Sequence, residues 1–308
     1  MNARCLGATV LLFALVSQPL AAGGWGELPT GSLLIATEEW GIERIDVDAG
    51  LLDFEYRGGA GPVTRVEVFG PADERVYVER DGTLLSIRVE ERALLPAASR
   101  GRILVSGPAV IELTIKAEGG SASVQTVAAS ELRVYGGSGA VSIDRVEAQL
   151  SLYSSSGDIT VVGSSGAQRI NSDSGDVIVR NSDGDLTVRT GSGRVNMWDV
   201  AGALDVETVS GAIDIVGITL REQGRVVTNS GRIDVVFAQD LDELDLDVST
   251  VSGSIQIEDR YGGIDGGYTP LGPADDEQRV GEEPAEDPDR PAAIPFSGYS
   301  VSGHQYYR

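Results

Sequence analysis

Three aspartates close to repeated glycines are the residues of this chain whose type and spacing best suit a metal site or an active site. Asp158 and Asp176 each follow a Ser-Gly pair and stand one repeat apart, and Asp173 precedes the second pair. In a fold that repeats at this interval these carboxylates share one corner, where like charges repel unless something offsets them. Solvent together with Arg194 offsets them in one interpretation, and a bridging Ca²⁺ ion does so in the other. We favour the first and retain the three aspartates as calcium candidates.

Stacked carboxylates are also the candidates for hydrolysis of polysaccharides on an exposed strand face. A glycosidase needs two carboxylates at a set separation within a groove. Asp214 and Asp234 form a second such column, but Trp198 is the only tryptophan of the repeats and no aromatic wall for a sugar is evident. We therefore predict a protein that is not an enzyme, with no catalytic residues and no cofactor.

Nucleophilic and histidine-based chemistry is excluded by composition. The chain has one histidine, His304, close to its end, and one cysteine, Cys5, close to its start. No Ser-His-Asp or Cys-His set and no histidine-rich metal site can be assembled from them. No glycine-rich nucleotide loop precedes a helical pattern, so the many glycines are interpreted as structural.

Seven Ser-Gly pairs at nearly constant spacing must position the aspartates. The first five pairs recur at every eighteenth position, and the last two steps are slightly longer. A second set of small residues lies halfway between the early pairs, and a fixed short period indicates one structural unit stacked many times. The glycines of the pairs are Gly139, Gly157, Gly175, Gly193, Gly211, Gly231 and Gly253, and the halfway residues are Ala148, Gly166, Gly184 and Gly202.

Apolar side chains two and four residues after nearly every glycine predict that this unit is β-strand. Alternation with a period of two places them on one face of a short strand. The predicted inward pairs are Val141/Ile143, Leu150/Leu152, Ile159/Val161, Val177/Val179, Leu186/Val188, Val195/Met197, Leu204/Val206, Ile213/Ile215, Ile233/Val235 and Ile255/Ile257.

Two other solenoids with related periods are excluded. A hexapeptide helix needs an aliphatic residue at every sixth position, and stepping from Val141 reaches Glu147 and Ser165. The calcium-binding nonapeptide roll needs an aspartate where this chain has an aliphatic residue. We predict an all-β fold, a right-handed parallel β-solenoid of about eight coils with about 18 residues and two strands per coil, preceded by an N-terminal β capping region.

Hydroxyl side chains form two further columns. One consists of the serines of the Ser-Gly pairs, and the other lies three residues before each glycine: Ser154, Ser172, Thr190, Thr208, Thr228 and Thr250. Hydroxyl groups at such positions satisfy backbone groups at corners, and we favour that role for both columns. The alternative is a flat polar strip that binds a glycan.

The first 22 residues have the pattern of a secretory signal peptide. Arg4 precedes an apolar segment from Leu6 to Val16, and small residues follow at Ala21 and Ala22. We predict an exported protein, in the periplasm, at the cell surface or secreted, with no membrane-spanning segment after cleavage. The net charge of −23 argues against nucleic acid as a partner.

Composition divides the rest of the chain into three parts. Residues 23–118 show strand alternation without the period and a hairpin signal at Asp81-Gly82, so they cap or begin the stack. Residues 119–261 contain the repeats. Residues 262–308 are predicted to be an acidic, Gly/Pro-rich linker and an aromatic tail, which either docks on the solenoid or binds a partner.

Three segments, Ser156–Val161, Ser174–Val177 and Ser210–Ile215, resemble the repeat of a bacterial family of putative adhesins with Ser-Gly-punctuated β-solenoid domains. The resemblance covers about residues 40–260 and implies an extracytoplasmic domain with a role in surface interaction. The family has no established catalytic residues to transfer.

The predicted function is therefore a non-enzymatic extracytoplasmic scaffold whose partner is an envelope or surface polysaccharide or a protein. One alternative is a polysaccharide-active β-helix enzyme, which would release reducing sugars. The other is an envelope sensing module that recruits a partner through its C-terminal tail.

Overall fold

The computed structural model describes residues 32–71, 74–90, 101–239, 244–248, 252–259, 294–299 and 305–307. Within these ranges every regular element is a β-strand. The strands are β1 (Ser32–Trp40), β2 (Arg44–Asp48), β3 (Asp53–Gly59), β4 (Val63–Gly70), β5 (Val76–Asp81), β6 (Leu84–Val89), β7 (Arg102–Pro108), β8 (Glu112–Ala117), β9 (Ala122–Gly136), β10 (Val141–Ser154), β11 (Ile159–Val162), β12 (Gln168–Ser172), β13 (Val177–Asp183), β14 (Leu186–Thr190), β15 (Val195–Thr208), β16 (Ile213–Thr228), β17 (Ser230–Phe237), β18 (Leu244–Val248), β19 (Ser252–Asp259), β20 (Ile294–Tyr299) and β21 (Gln305–Tyr307).

The repeats form a parallel β-solenoid of about seven turns, which confirms the predicted fold class. Residues that follow the Ser-Gly pairs make the first sheet, in the order β9, β10, β11, β13, β15, β16, β17 and β19. Residues that follow the halfway positions make the second sheet, in the order β8, β9, β10, β12, β14, β15 and β16. The long strands β9, β10, β15 and β16 belong to both sheets because they continue round a corner of the coil.

The aliphatic columns line up along a common interior, as the repeat period predicts. Ile159 pairs with Val177, Val177 with Val195, and Val195 with Ile213, and all four are completely buried. Each coil thus places its apolar side chains directly over those of its neighbour. Burial of apolar surface between coils therefore accumulates along the stack, since a single coil has too little interior of its own.

A third inward column lies between the two sheets, and the predicted two-strand coil does not contain it. Its members are Val127, Val146, Ser164, Ser182, Val200 and Ile218, none more than 3% exposed. Each follows a residue in the left-handed region, namely Thr126, Arg145, Gly163, Asn181, Asp199 and Gly217, with φ between 51° and 76°. The left-handed residue turns the chain so that the next side chain again points inward.

N-terminal strands extend both sheets beyond the repeats. In the first sheet β3 lies between β9 and β7, and β4 and β1 follow as antiparallel strands. In the second sheet β2 lies between β8 and β6, and β5 follows as an antiparallel strand. The hairpin predicted here is present, with Asp81 pairing with Leu84, so that Gly82 and Thr83 form its turn.

Two C-terminal segments join the same stack. Strand β20 pairs with β16 on one side and with β18 on the other, so it lies between them in the second sheet. Strand β21 pairs with β19 and extends the first sheet. Residues 294–299 and 305–307 therefore dock on the solenoid, whereas His304 and most of the predicted linker lie outside the described residues.

Gln168 is a polar side chain in an inward column of the second sheet whose neighbouring members are Leu150, Leu186 and Leu204. Gln168 is 2% exposed, its Nε2 donates to Ser182 Oγ, and its Oε1 has no hydrogen-bond partner within the described residues. A buried amide oxygen without a partner destabilises the folded state.

Replacing Gln168 with leucine should therefore stabilise the protein. We expect the free energy of unfolding to rise by about 1 kcal/mol, because the change removes the unsatisfied oxygen and adds apolar contact within the column. Thermal melting followed by circular dichroism measures the effect, with Thr187→Leu at a half-buried position of the next strand as a control. A melting temperature below that of the unaltered protein would contradict the explanation.

Candidate functional site

The three calcium candidates are each engaged by a protein donor. Asp158 Oδ1 accepts a hydrogen bond from the backbone nitrogen of Asp176 at 2.9 Å, and Asp176 Oδ1 accepts one from the backbone nitrogen of Arg194 at 2.8 Å. Asp173 Oδ2 accepts a hydrogen bond from the hydroxyl of Tyr153 at 2.8 Å. The first two carboxylates thus connect successive coils, and calcium binding remains a prediction.

No group of three or more histidine, cysteine, aspartate or glutamate side chains suited to a metal occurs in the part of the chain that the structure describes. The second carboxylate column is an ion-pair network. Arg232 Nη2 lies 2.8 Å from Asp214 Oδ1, and Arg232 Nε lies 3.1 Å from Asp234 Oδ2. The hydrogen bond to Asp214 raises the pKa of Arg232 above its ordinary value. Arg232 therefore offsets the like charges of Asp214 and Asp234.

The two hydroxyl columns have different environments. The column three residues before the glycines is buried, from Ser154 to Thr228, and its hydroxyls bond to corner backbone groups. The Gly211 nitrogen, for example, donates to Thr208 Oγ1 at 3.0 Å. The serines of the Ser-Gly pairs are exposed instead. Ser174 Oγ donates to the Ser155 carbonyl at 3.2 Å, whereas Ser192 and Ser210 make no side-chain hydrogen bond within the described residues. Thr250 lies outside those residues.

Replacing Thr208 with valine should destabilise the protein, whereas replacing Ser210 with alanine should not. Valine keeps the shape of threonine but leaves the buried Gly211 nitrogen without its acceptor, which costs about 1–3 kcal/mol. Differential scanning calorimetry of the two variants makes the comparison. Equal melting temperatures for the two variants would show that the buried hydroxyl is dispensable.

A tyrosine pair lies on the outer face of the second sheet. Tyr135 and Tyr153 are directly opposite each other on β9 and β10, and they are 45% and 37% exposed. Neighbouring strands are about 4.8 Å apart, so the two rings project side by side from adjacent strands of the same face. Lys116 continues this column on one side and Asn171 on the other. The hydrogen bond from the Tyr153 hydroxyl to Asp173 fixes one ring in orientation.

A polar groove of about 430 Å³ lies beside the tyrosine pair on the same face. Arg44 Nη2 lies 2.9 Å from Glu112 Oε2, and Arg133 Nη2 lies 2.6 Å from Glu131 Oε2. Ser130 and Arg44 donate to Glu112 and hold its pKa below the ordinary value. Glu112 therefore remains ionised at neutral pH, and the groove offers charged hydrogen-bonding groups rather than a proton donor. Its lining includes Arg44, Asp46, Glu112, Thr114, Glu131 and Arg133.

The tyrosine pair was missed by reasoning from the sequence. The search for an aromatic sugar-binding surface considered tryptophan alone and did not weigh these two tyrosines. The available signal is the spacing: Tyr135 and Tyr153 stand one repeat apart, each four residues before the glycine of a Ser-Gly pair. Trp198, in contrast, lies on the first sheet with the guanidinium of Arg180 4.6 Å from its ring centre.

Comparison with known proteins identifies the domain that carries this face. The family model of the Toastrack DUF4097 domain matches residues 68–262. The chain belongs to the Toastrack DUF4097 family. This is a domain of unknown function, and the Toastrack match includes both tyrosines, the groove residues from Glu112 onward and the solenoid through β19. No curated protein matches the chain.

Two solved structures are similar to this Toastrack chain. One is the crystal structure of a "putative lipid binding protein" from Parabacteroides distasonis ATCC 8503, with 16% identity, a TM-score of 0.41, and coverage of 91% of this chain and 98% of that one. The other is a "putative cell adhesion protein" from Clostridium sporogenes ATCC 15579, with 11% identity, a TM-score of 0.24, and coverage of 73% and 100%. The described part of the Toastrack chain has no helix of the length and apolar character needed to cross a membrane.

Proposed function

We propose that this protein is a non-catalytic scaffold that binds a polysaccharide of the cell envelope or cell surface through the outer face of the second sheet. The observation that carries the proposal is the in-register pair of exposed rings, Tyr135 and Tyr153, beside a polar groove. The apolar face of a sugar ring packs on an aromatic ring, and its hydroxyl groups bond to polar groups alongside.

The sheet supplies a rigid base for such binding. Both tyrosines lie on long strands whose inward neighbours, Leu132, Val134, Leu150 and Leu152, are at most 1% exposed. Because the backbone is held by strands on both sides, little conformational entropy is lost when a ligand binds. A flat face of regularly spaced side chains suits an extended polymer better than an enclosed small molecule.

The charges in the groove favour binding over hydrolysis. A glycosidase requires one carboxyl group that stays protonated until it donates to the leaving sugar, and such a group has a raised pKa. The hydrogen bonds from Ser130 and Arg44 lower the pKa of Glu112 instead. Glu131 is held by Arg133. These carboxylates act as hydrogen-bond acceptors for a ligand.

Location outside the cytoplasm is part of the proposal. Its support is the signal-peptide pattern of the first 22 residues and a sequence that contains no cysteine beyond that segment. Fractionation of cells that produce the protein with a C-terminal epitope tag tests this part. A protein that keeps its leader and remains in the cytoplasm would contradict it.

Binding is tested by co-sedimentation of the purified protein with insoluble envelope polysaccharide. Replacing both Tyr135 and Tyr153 with alanine should weaken binding at least tenfold and leave the protein folded with a cooperative melting transition, since both side chains lie on the outer face and not in the core. The control is Trp40→Ala on β1, because this aromatic side chain is 62% exposed but belongs to the first sheet. Failure of the unaltered protein to bind, or equal binding by all three proteins, would overturn the proposal.

A further inference from the structure

Two basic side chains lie at opposite ends of the tyrosine pair. Lys116 on β8 is directly opposite Tyr135, and Arg169 on β12 is directly opposite Ser151, two residues from Tyr153 on the same face. Lys116 and Arg169 are both exposed. The order of strands between them is β8, β9, β10 and β12, which separates their backbones by three strand spacings, about 14 Å.

These two cations differ from four other basic residues of the outer second sheet that are held in ion pairs, whereas Arg88 on β6, opposite Asp48, resembles them in making no ion pair within the described residues. Arg44 and Arg133 are paired with Glu112 and Glu131, and Arg189 and Arg225 are both paired with Asp205. Lys116 and Arg169 make no ion pair within the described residues.

Carboxylates near these two cations form no ion pair with them. Asp48 is directly opposite Lys116 on β2, and Asp185, two residues before the residue opposite Arg169, accepts a hydrogen bond from the backbone nitrogen of Ala203 at 3.4 Å. Asp173 accepts a hydrogen bond from the Tyr153 hydroxyl. Lys116 and Arg169 are therefore available to a ligand.

The two cations beside the tyrosine pair are opposite in sign to the net charge of the chain. The sequence has 47 acidic and 24 basic residues, so most basic side chains can find a carboxylate partner. A polymer that carries negative charge is repelled by the molecule as a whole and needs local cations where it binds. Arginine also binds carboxylates through two parallel hydrogen bonds, which adds orientation to the attraction.

We infer that the ligand of this face is an acidic polysaccharide, whose sugar rings pack on Tyr135 and Tyr153 while its carboxylates bind Lys116 and Arg169. The inference rests on the proposed function and specifies the class of glycan. It excludes a neutral polysaccharide as the preferred ligand, because a neutral polymer gains nothing from the two cations.

The experiment compares two polymers with the same backbone. Polygalacturonate carries one carboxylate per sugar, and its carboxyl-reduced form carries none. Isothermal titration calorimetry at low salt should show that the protein binds polygalacturonate at least tenfold more tightly than the reduced polymer. The difference should shrink as salt increases, since exposed charges are screened within about 10 Å at 0.1 M salt.

Variants separate the two contributions. The double change Lys116→Gln and Arg169→Gln should abolish the preference for polygalacturonate, whereas the control Arg194→Gln, which removes a cation from an exposed residue at the Ser-Gly corner, should preserve it. Equal affinity for the two polymers, no binding of polygalacturonate, or the same loss in the control would overturn the inference. If the reduced polymer still binds and the two tyrosine substitutions abolish that binding, the proposed function stands while the inference fails. If the tyrosine variant binds both polymers normally, both fail.

Discussion

Replacing Gly193 with alanine should unfold much of the solenoid, although it adds a single methyl group. A Cβ atom at this position would lie 2.0 Å from the carbonyl oxygen of Gly175 in the preceding coil and 3.0 Å from Thr190 Oγ1. The same contact recurs along the column, where the Cβ positions of Gly157, Gly211 and Gly231 are 1.9–2.1 Å from the preceding glycine's oxygen. The glycines therefore permit close approach of backbones rather than an unusual φ.

The expected loss exceeds about 4 kcal/mol, which is exceptional for one substitution. The obstructing atom is backbone and cannot rotate away, so the two coils must separate and lose hydrogen bonds and apolar contact together. The control is Gly61→Ala, because nothing lies within 4 Å of the Cβ position there. Thermal melting of the two variants decides the question. If Gly193→Ala melts within a degree of Gly61→Ala, close packing of the glycine column is not what the repeat requires.

The repeating part of this fold was predictable because three signals agree. The regular recurrence of glycine sets the length of a coil, alternation sets which side chains point inward, and the buried Ile159, Val177, Val195 and Ile213 show both to be right. Each signal reflects an interaction with an equivalent residue one coil away. In a periodic sequence both residues of such an interaction occupy the same position of the repeat, so the repeat itself shows which residues meet.

The left-handed corner could not be predicted from the sequence, and the reason is physical. Its residues include threonine, arginine, asparagine and aspartate as well as glycine, at Thr126, Arg145, Asn181 and Asp199. A left-handed residue other than glycine costs about 1–3 kcal/mol, and the packed strands on either side impose the conformation. The sequence therefore carries no consistent residue type at this position. The third inward column, which follows that corner, was missed with it.

The arrangement of the strands at the two ends of the stack was not predictable, because the order of these strands in the sheets differs from their order in the chain. Strand β2 lies between β8 and β6, strand β3 lies between β9 and β7, and strand β20 lies between β16 and β18. Alternation indicates that such segments are strands but does not specify their neighbours. The position of the proposed binding face also depends on which strands are neighbours. The separation of Tyr135 from Lys116 in the chain does not match the repeat, and the pairing of β8 with β9 is what places them together.

Removing one complete coil should be tolerated far better than removing half of one. Deletion of residues 175–192 joins Ser174 to Gly193 and preserves a Ser-Gly pair at the junction. Ile159 then stacks on Val195, because Val177 is in register with both. The Arg194 nitrogen replaces that of Asp176 as the donor to Asp158 Oδ1, so the corner hydrogen bond is kept. We expect a cooperative transition at a moderately lower temperature, since one interface between coils is lost.

Deletion of residues 175–183 joins Ser174 to Gly184 and moves every later strand by half a turn. Leu186 then takes the place of Val177 in the first sheet, but the corner at Asp199 falls in the second sheet, and the buried hydroxyl of Thr208 no longer lies over Ser172 and Ser154. Buried polar groups lose their partners in every coil that follows, at about 1–3 kcal/mol each, which the remaining stack cannot offset. Circular dichroism should show no cooperative melting for this shorter deletion. Equal melting of the two deletion proteins would mean that the half-coil, rather than the whole coil, is the repeating unit.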